Sequence, residues 1–121
     1  MSTWDEEIFS IDANTDFLDE LDTLEGDELE QALIDAVLLA ANQDPSTVNE
    51  DELLNAQAAA TIVAIWSGAP FSAGETADTY TFIRTHNGAL DEETAEAATS
   101  VLEAAAEHTD SDLDQFLEAL A

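Results

Sequence analysis

Apolar residues recur at three- and four-residue spacing through most of the chain, which predicts helices. Over residues 13–24, Phe17, Leu18, Leu21 and Leu24 share one face, and Asp16, Asp19, Glu20 and Asp22 take the other. Gly26 ends this element. A second helix follows over residues 27–42, with Leu29, Ala32, Leu33, Ala36, Val37 and Ala40 inward. Asp27, Glu28 and Glu30 crowd its first turn, where the positive end of the helix dipole favours carboxylates. Asp44-Pro45-Ser46 reads as a turn, and Asn49 with Glu52 has the spacing of a capping box.

The third helix, over residues 50–67, is the most apolar. Leu53, Leu54, Ala58, Ala59, Ala60, Ile62, Val63, Ile65 and Trp66 leave it without a polar side, so it is expected at the centre with Trp66 in the core. Gly68 stands where a left-handed C-cap is expected, and Pro70 prevents continuation. Residues 75–85 read as a short helix with Ala77, Tyr80, Ile83 and Arg84 in register, although Thr79 to Ile83 is strand-like in composition. Asp91 caps a helix over residues 92–107 with Ala95, Ala98, Leu102 and Ala105 inward. The last helix, over residues 111–120, gathers Leu113, Phe116, Leu117 and Leu120. Residues 1–11 read as an extended arm that Trp4 and Phe9 pin to the bundle, with Ile8 and Ile11 beside them. The expected fold class is all-α: a compact single domain over residues 1–121, a bundle of five or six helices with an extended N-terminal arm.

Charge changes this picture more than any single motif. The chain carries 29 Asp and Glu, no Lys and one Arg, Arg84, for a net charge of −28. With 45% apolar residues the core is not displaced, so the composition is that of a folded chain rather than a disordered one. Nucleic acid is bound through Lys and Arg, so it is not an expected partner, and neither is an anionic membrane. Cations, basic proteins and basic peptides are the partners the charge permits. The chain has no Cys and therefore no disulfide or thiol chemistry. The uncharged stretch from Leu53 to Gly74 contains Asn55, Gln57, Ser67, Gly68 and Pro70, a poor membrane span. The opening residues, Met1 to Glu7, show no basic or apolar leader, and a cytoplasmic protein is expected.

No motif points to catalysis. There is no Gly-x-Ser-x-Gly, no Ser-x-x-Lys, no Gly-x-Gly-x-x-Gly and no phosphate-binding loop. Asp12, Asn14 and Asp16 have the one-three-five spacing of a calcium loop. The pattern then fails at Phe17, where glycine is needed, and at Thr23, where a bidentate Glu is needed. His86 and His108 sit near helix ends and belong to no metal-ligand pair. No catalytic residue, metal ligand or cofactor is assigned, and the chain is expected not to be an enzyme.

Several positions nevertheless form a pattern. Thr3-Trp4, Ile8-Phe9, Asp12 and Asp16-Phe17-Leu18 are joined later by Ala58-Ala59-Ala60, His86, Leu90 and Ser111-Asp112-Leu113. In these the chain resembles domain-of-unknown-function family 4259, a bacterial family that typically opens on a Gly-Thr-Trp-Gly motif and a Phe-Asp-Asn-Asp segment. Thr3, Trp4, Phe9, Asp12, Asp16 and Phe17 are the matching motif positions. Ser2 and Asp5 replace the two glycines, Ser10-Ile11 replaces Asp-Asn, and Phe116 stands near an expected Trp. The resemblance brings no established activity. Its small single-domain form is similar to that of immunity proteins that neutralise bacterial toxins.

Together these features point to a protein-binding or inhibitor factor, immunity-like, that acts through its carboxylates on a basic protein. Asp16, Asp19, Glu20, Asp22, Asp27, Glu28 and Glu30 are the candidate surface, because 12 of the 29 acids fall between Asp5 and Glu30. Two alternatives stand beside it. The acidity suits solubility in high intracellular salt and then says nothing of function, or convergent carboxylates with His86 or His108 form a metal-dependent enzyme.

Overall fold

The computed structural model describes residues 4–24, 26–42, 50–67, 80, 92–107 and 113–120. Among these residues there are six helices: α1 Trp4–Ser10, α2 Asp12–Asp22, α3 Asp27–Asn42, α4 Glu50–Trp66, α5 Glu92–Ala106 and α6 Asp114–Leu120. The architecture is all-α. The Asp44-Pro45-Ser46 turn, Asn49, Gly68, Pro70, Asp91 and both histidines lie outside the described residues. Of the segment 75–85 only Tyr80 is described, and it lies in a bend.

α4 is the axis of the bundle and packs against each of the other five helices. Its buried positions are Ala56 and the unbroken run Ala58, Ala59, Ala60, Thr61, Ile62, Val63 and Ala64. A helix covered on every side must be apolar on every side. Alanine allows neighbouring backbones to come close, toward the short end of the 8–10 Å interaxial range. The one hydroxyl in the run is satisfied locally, because Thr61 Oγ1 donates to the Gln57 carbonyl at 2.8 Å. Trp66, at the end of the helix, is only partly buried and packs on the edge of the core rather than within it.

α3 and α5 pack on α4 and on each other, and α6 closes against α4 and α5. Leu29, Leu33 and Val37 of α3, Val101 and Leu102 of α5 and Phe116 of α6 supply the bulk that the alanines of α4 lack. α1 and α2 pack together and on α4, and α2 also meets α3. Gly26 makes the bend between α2 and α3 with φ +54°, a left-handed conformation that glycine adopts without steric cost. Its carbonyl accepts the first α3 bond, from the Glu30 amide at 3.2 Å.

The extended arm expected over residues 1–11 is corrected: Trp4–Ser10 is a seven-residue helix. Seven residues hold less than two turns, too few to show a helical period. The adjacent pair Ile8-Phe9 also hides the repeat, although both side chains are buried. Burial of two such side chains contributes roughly 1.5–3 kcal/mol each. α1 ends at Ile11, which is extended (φ −69°, ψ 135°) and caps α2 without a side-chain hydrogen bond. Asn14, from within α2, caps the other helix instead. It is fully buried, and its Nδ2 donates to the Ile8 carbonyl at 2.7 Å, one of the carbonyls left over at the end of α1. Its Oδ1 is buried without a hydrogen-bond partner.

Candidate interaction surface

α2 divides its residues between two faces. Stepping about 100° per residue, Asn14, Leu18 and Leu21 fall together and are buried. Asp12, Asp16, Asp19 and Glu20 point the opposite way, all exposed. Thr15, Asp19 and Asp22 run along one flank of that outward face. Tyr80, from 58 positions beyond Asp22 in the chain, reaches this flank. Its hydroxyl donates to Asp19 Oδ1 at 2.6 Å and lies 3.5 Å from the Thr15 carbonyl, too long for a second bond of weight.

The charge around this contact is felt by the tyrosine. Its hydroxyl is pushed up from 10.0 to about 12, first by the bond to Asp19, then by burial, then by the negative charges of Asp19, Asp22 and Asp16. Ionising the phenol would break the bond and add a charge beside three carboxylates. Tyr80 therefore meets α2 through an uncharged donor, which suits a site already rich in anions.

Helix geometry separates the candidate acids into two kinds. Asp27, Glu28 and Glu30 stand in the first turn of α3, where unbonded amides and the helix dipole stabilise them. Asp27 and Glu28 are exposed and Glu30 is half-buried. First-turn acids recur at α4, α5 and α6, so this placement is the rule for the chain. That rule is broken by one acid each in the last turns of α1, α5 and α6, Glu7, Glu103 and Glu118, and by three together in α2. Asp19, Glu20 and Asp22 occupy the last turn of α2, where exposed carbonyls already present negative charge and the turn itself holds no basic residue. Thr23 satisfies part of that end, its amide and Oγ1 both meeting the Glu20 carbonyl, at 3.1 and 2.7 Å. A carboxylate at a helix C-terminus costs about what it gains at the N-terminus, roughly 0.3–1 kcal/mol each.

The structure brings Asp16, Asp19, Glu20 and Asp22 to one face, and Gly26 joins that face to the Asp27 and Glu28 turn. No Lys, Arg or His lies among the described residues, since Arg84, His86 and His108 are all outside them. The calcium-like spacing does not converge: Asn14 turns into the core while Asp12 and Asp16 face outward. Among the described residues no three His, Cys, Asp or Glu are placed to hold a metal ion. Of the motif positions, Thr3 lies outside the described residues, Trp4 begins α1, Phe9 is buried and Phe17 packs against the core from a half-buried position.

Against this geometry, the family described as a domain of unknown function (DUF4259) matches residues 2–119. The chain belongs to this family. The match runs from before α1 to the penultimate residue of α6, so it takes in every described helix of this DUF4259 member except Leu120. No curated protein and no solved structure matches the chain.

Two features of this DUF4259 chain were not legible in its sequence. Tyr80 is the only tyrosine, but nothing near it in sequence points to α2. An open groove of about 720 Å³ is lined by Glu92, Ala95, Glu96, Thr99 and Ser100 of α5 and by Leu120 of α6. The Thr99 hydroxyl there is already bonded, to the Ala95 carbonyl at 2.9 Å. No helix among the described residues is long and apolar enough to cross a membrane.

Proposed function

We propose that this chain is a binding protein rather than an enzyme, an inhibitor or immunity-like factor that presents the outer face of α2 and the start of α3 to a basic protein. The observation that carries the reading is the last turn of α2. Asp19, Glu20 and Asp22 sit together where the helix itself disfavours them, and a position that costs stability is explained when a partner supplies a cation there. Exposed carboxylates at this density also steer a positively charged partner into contact. Sites built to hold phosphate groups, lined by Lys and Arg, have the matching chemistry.

The test compares two neutralised variants in capture from cell extract at moderate salt. Asp19→Asn with Glu20→Gln and Asp22→Asn should lose a basic protein that the wild type retains. Asp27→Asn with Glu28→Gln, which removes dipole-favoured charge, should weaken retention less. Retention of no basic protein, or equal retention by wild type and the α2 variant, overturns the reading.

The cation-free set of described residues favours a second reading, adaptation to high salt. At molar salt the Debye length falls to about 3 Å, from about 10 Å at 0.1 M, and like charges on a small surface stop repelling. A helical fold that forms only at molar salt, followed by circular dichroism during thermal unfolding, assigns the acidity to the solvent. A cooperative fold already present at low salt favours the basic partner.

A further inference from the structure

The groove between α5 and α6 combines charge with an apolar surface. Among its lining residues Glu92 and Glu96 are exposed, Ala95 is half-buried and Leu120 of α6 is buried. Thr99 and Ser100 continue the same wall by one further turn of α5. Its volume of about 720 Å³ falls within the range of small-molecule sites, roughly 300–1,000 Å³.

Spacing narrows the ligand. Glu92 and Glu96 are four positions apart, so they share a face one turn apart, about 6 Å along the axis. Ala95 lies on the same side between those turns, and a methyl side chain leaves room above it. Like charges at this spacing repel and weaken a helix. The helix dipole offsets the charge of Glu92, in the first turn of α5. That effect falls off within the first turn, and Glu96 stands beyond it. Two carboxylates do not fill the oxygen shell of a hard metal ion. A ligand with positive charge at both positions and an apolar link between them meets each demand. Two ammonium groups joined by four methylenes span about 6 Å when extended, by ordinary bond lengths.

We infer that this groove binds a linear aliphatic polyamine. Successive ammonium groups pair with Glu96 and Glu92, and the methylenes between them lie against Ala95 and Leu120, which shield them from water. The site uses other helices than the acidic face of α2 and stands independently of that reading.

Titration of the intact chain with putrescine tests the site, in the salt at which its helices are complete by circular dichroism and followed by amide NMR shifts. Binding should saturate at one diamine per chain, with the largest shifts at Ala95, Glu96, Thr99 and Leu120. Glu96→Gln should weaken it by about 10-fold or more, the loss of one charge-assisted contact. Ala95→Leu fills the groove without changing the charge and should weaken it as much. Glu93→Gln removes an exposed carboxylate one position away, outside the groove, and should weaken it by less than about 2-fold. Ethylenediamine spans only about 4 Å, too short for both carboxylates, and should bind about 10-fold more weakly than putrescine. No saturable binding, shifts spread over all the acidic helices, or equal losses in Glu93→Gln and Glu96→Gln would overturn the site and leave counterion binding only. If Ala95→Leu does not fold, the comparison of Glu96→Gln with Glu93→Gln decides.

Discussion

Replacing Asn14 with Asp keeps the shape of a fully buried side chain and changes what it can donate. Asn14 Nδ2 gives its proton to the Ile8 carbonyl at 2.7 Å. An ionised carboxylate has no proton to give and would face that carbonyl oxygen. The folded variant therefore holds the acid protonated, with its O–H standing in for the N–H. Burial of this kind lifts a carboxyl by ~3 units from its unfolded value of about 3.9. At about 1.4 kcal/mol per unit the penalty reaches ~4 kcal/mol. The sign follows from which state binds the proton more tightly. Here the folded state does, so the variant is close to wild type below about pH 4, loses stability as pH rises, and reaches its full deficit above about pH 7. Against a total of roughly 5–15 kcal/mol for a small domain, that loss brings it near unfolding at neutral pH. Chemical denaturation of both proteins at molar salt, from pH 4 to pH 8, gives the readout as a difference, because the native carboxylates titrate in both. Asn14→Ala serves as the control and should cost about 1–3 kcal/mol at every pH, from the stranded Ile8 carbonyl. A deficit in Asn14→Asp that does not change with pH would refute the sealed environment of Asn14.

Other perturbations give equally direct readings. Tyr80 is the only tyrosine, so an ultraviolet titration reads it alone; the midpoint should lie at about 12 in the folded chain and move toward 10 in Asp19→Asn. Because the folded value is the raised one, the stability this bond contributes is present below about pH 10 and lost as pH climbs through about 12; a folded midpoint at 10 would refute the bond. Glu20→Gln and Asp22→Asn should each raise stability by about 0.3–1 kcal/mol at low salt, seen as a higher unfolding midpoint, and lower stability would contradict the dipole argument. Gly26→Ala should destabilise by about 1 kcal/mol and Gly26→Asn by less, since a Cβ there meets nothing within 4 Å and the strain lies in φ +54° alone. Leu33→Ala, at a fully buried site between α3 and its neighbours, should cost about 3–5 kcal/mol in denaturant unfolding.

The long helices were legible because their apolar spacing repeats several times. α3 spans the residues its pattern predicts, and α4 falls one residue short of its expected end. The inward residues of α5 and α6 were likewise read from their spacing, with Ala98, Leu102, Phe116 and Leu120 all buried. α1 was hidden, since a helix of seven residues completes too few turns to declare a period. Asn14 was read as a polar position beside Asp12 and Asp16, and only packing shows that it turns inward to serve α1. The acidic face of α2 was legible as a face, yet its unfavourable position depends on where the helix ends. That boundary, Asp22 rather than residue 24, is what separates the two kinds of carboxylate. The Tyr80 contact joins residues 61 positions apart, and no local rule reaches that far.

The alanines of α4 give the molecule a one-sided mutational landscape. Most cores lose stability when side chains shrink, but Ala56, Ala58, Ala59, Ala60 and Ala64 have almost nothing left to lose. They can change only by growing, and growth in a helix that touches all five others forces several contacts apart at once. The carboxylates outside, those of the α2 face apart, are freer to change by comparison. Drift in this chain is therefore expected to run through its exterior, while the helix with the plainest side chains is the one least able to vary.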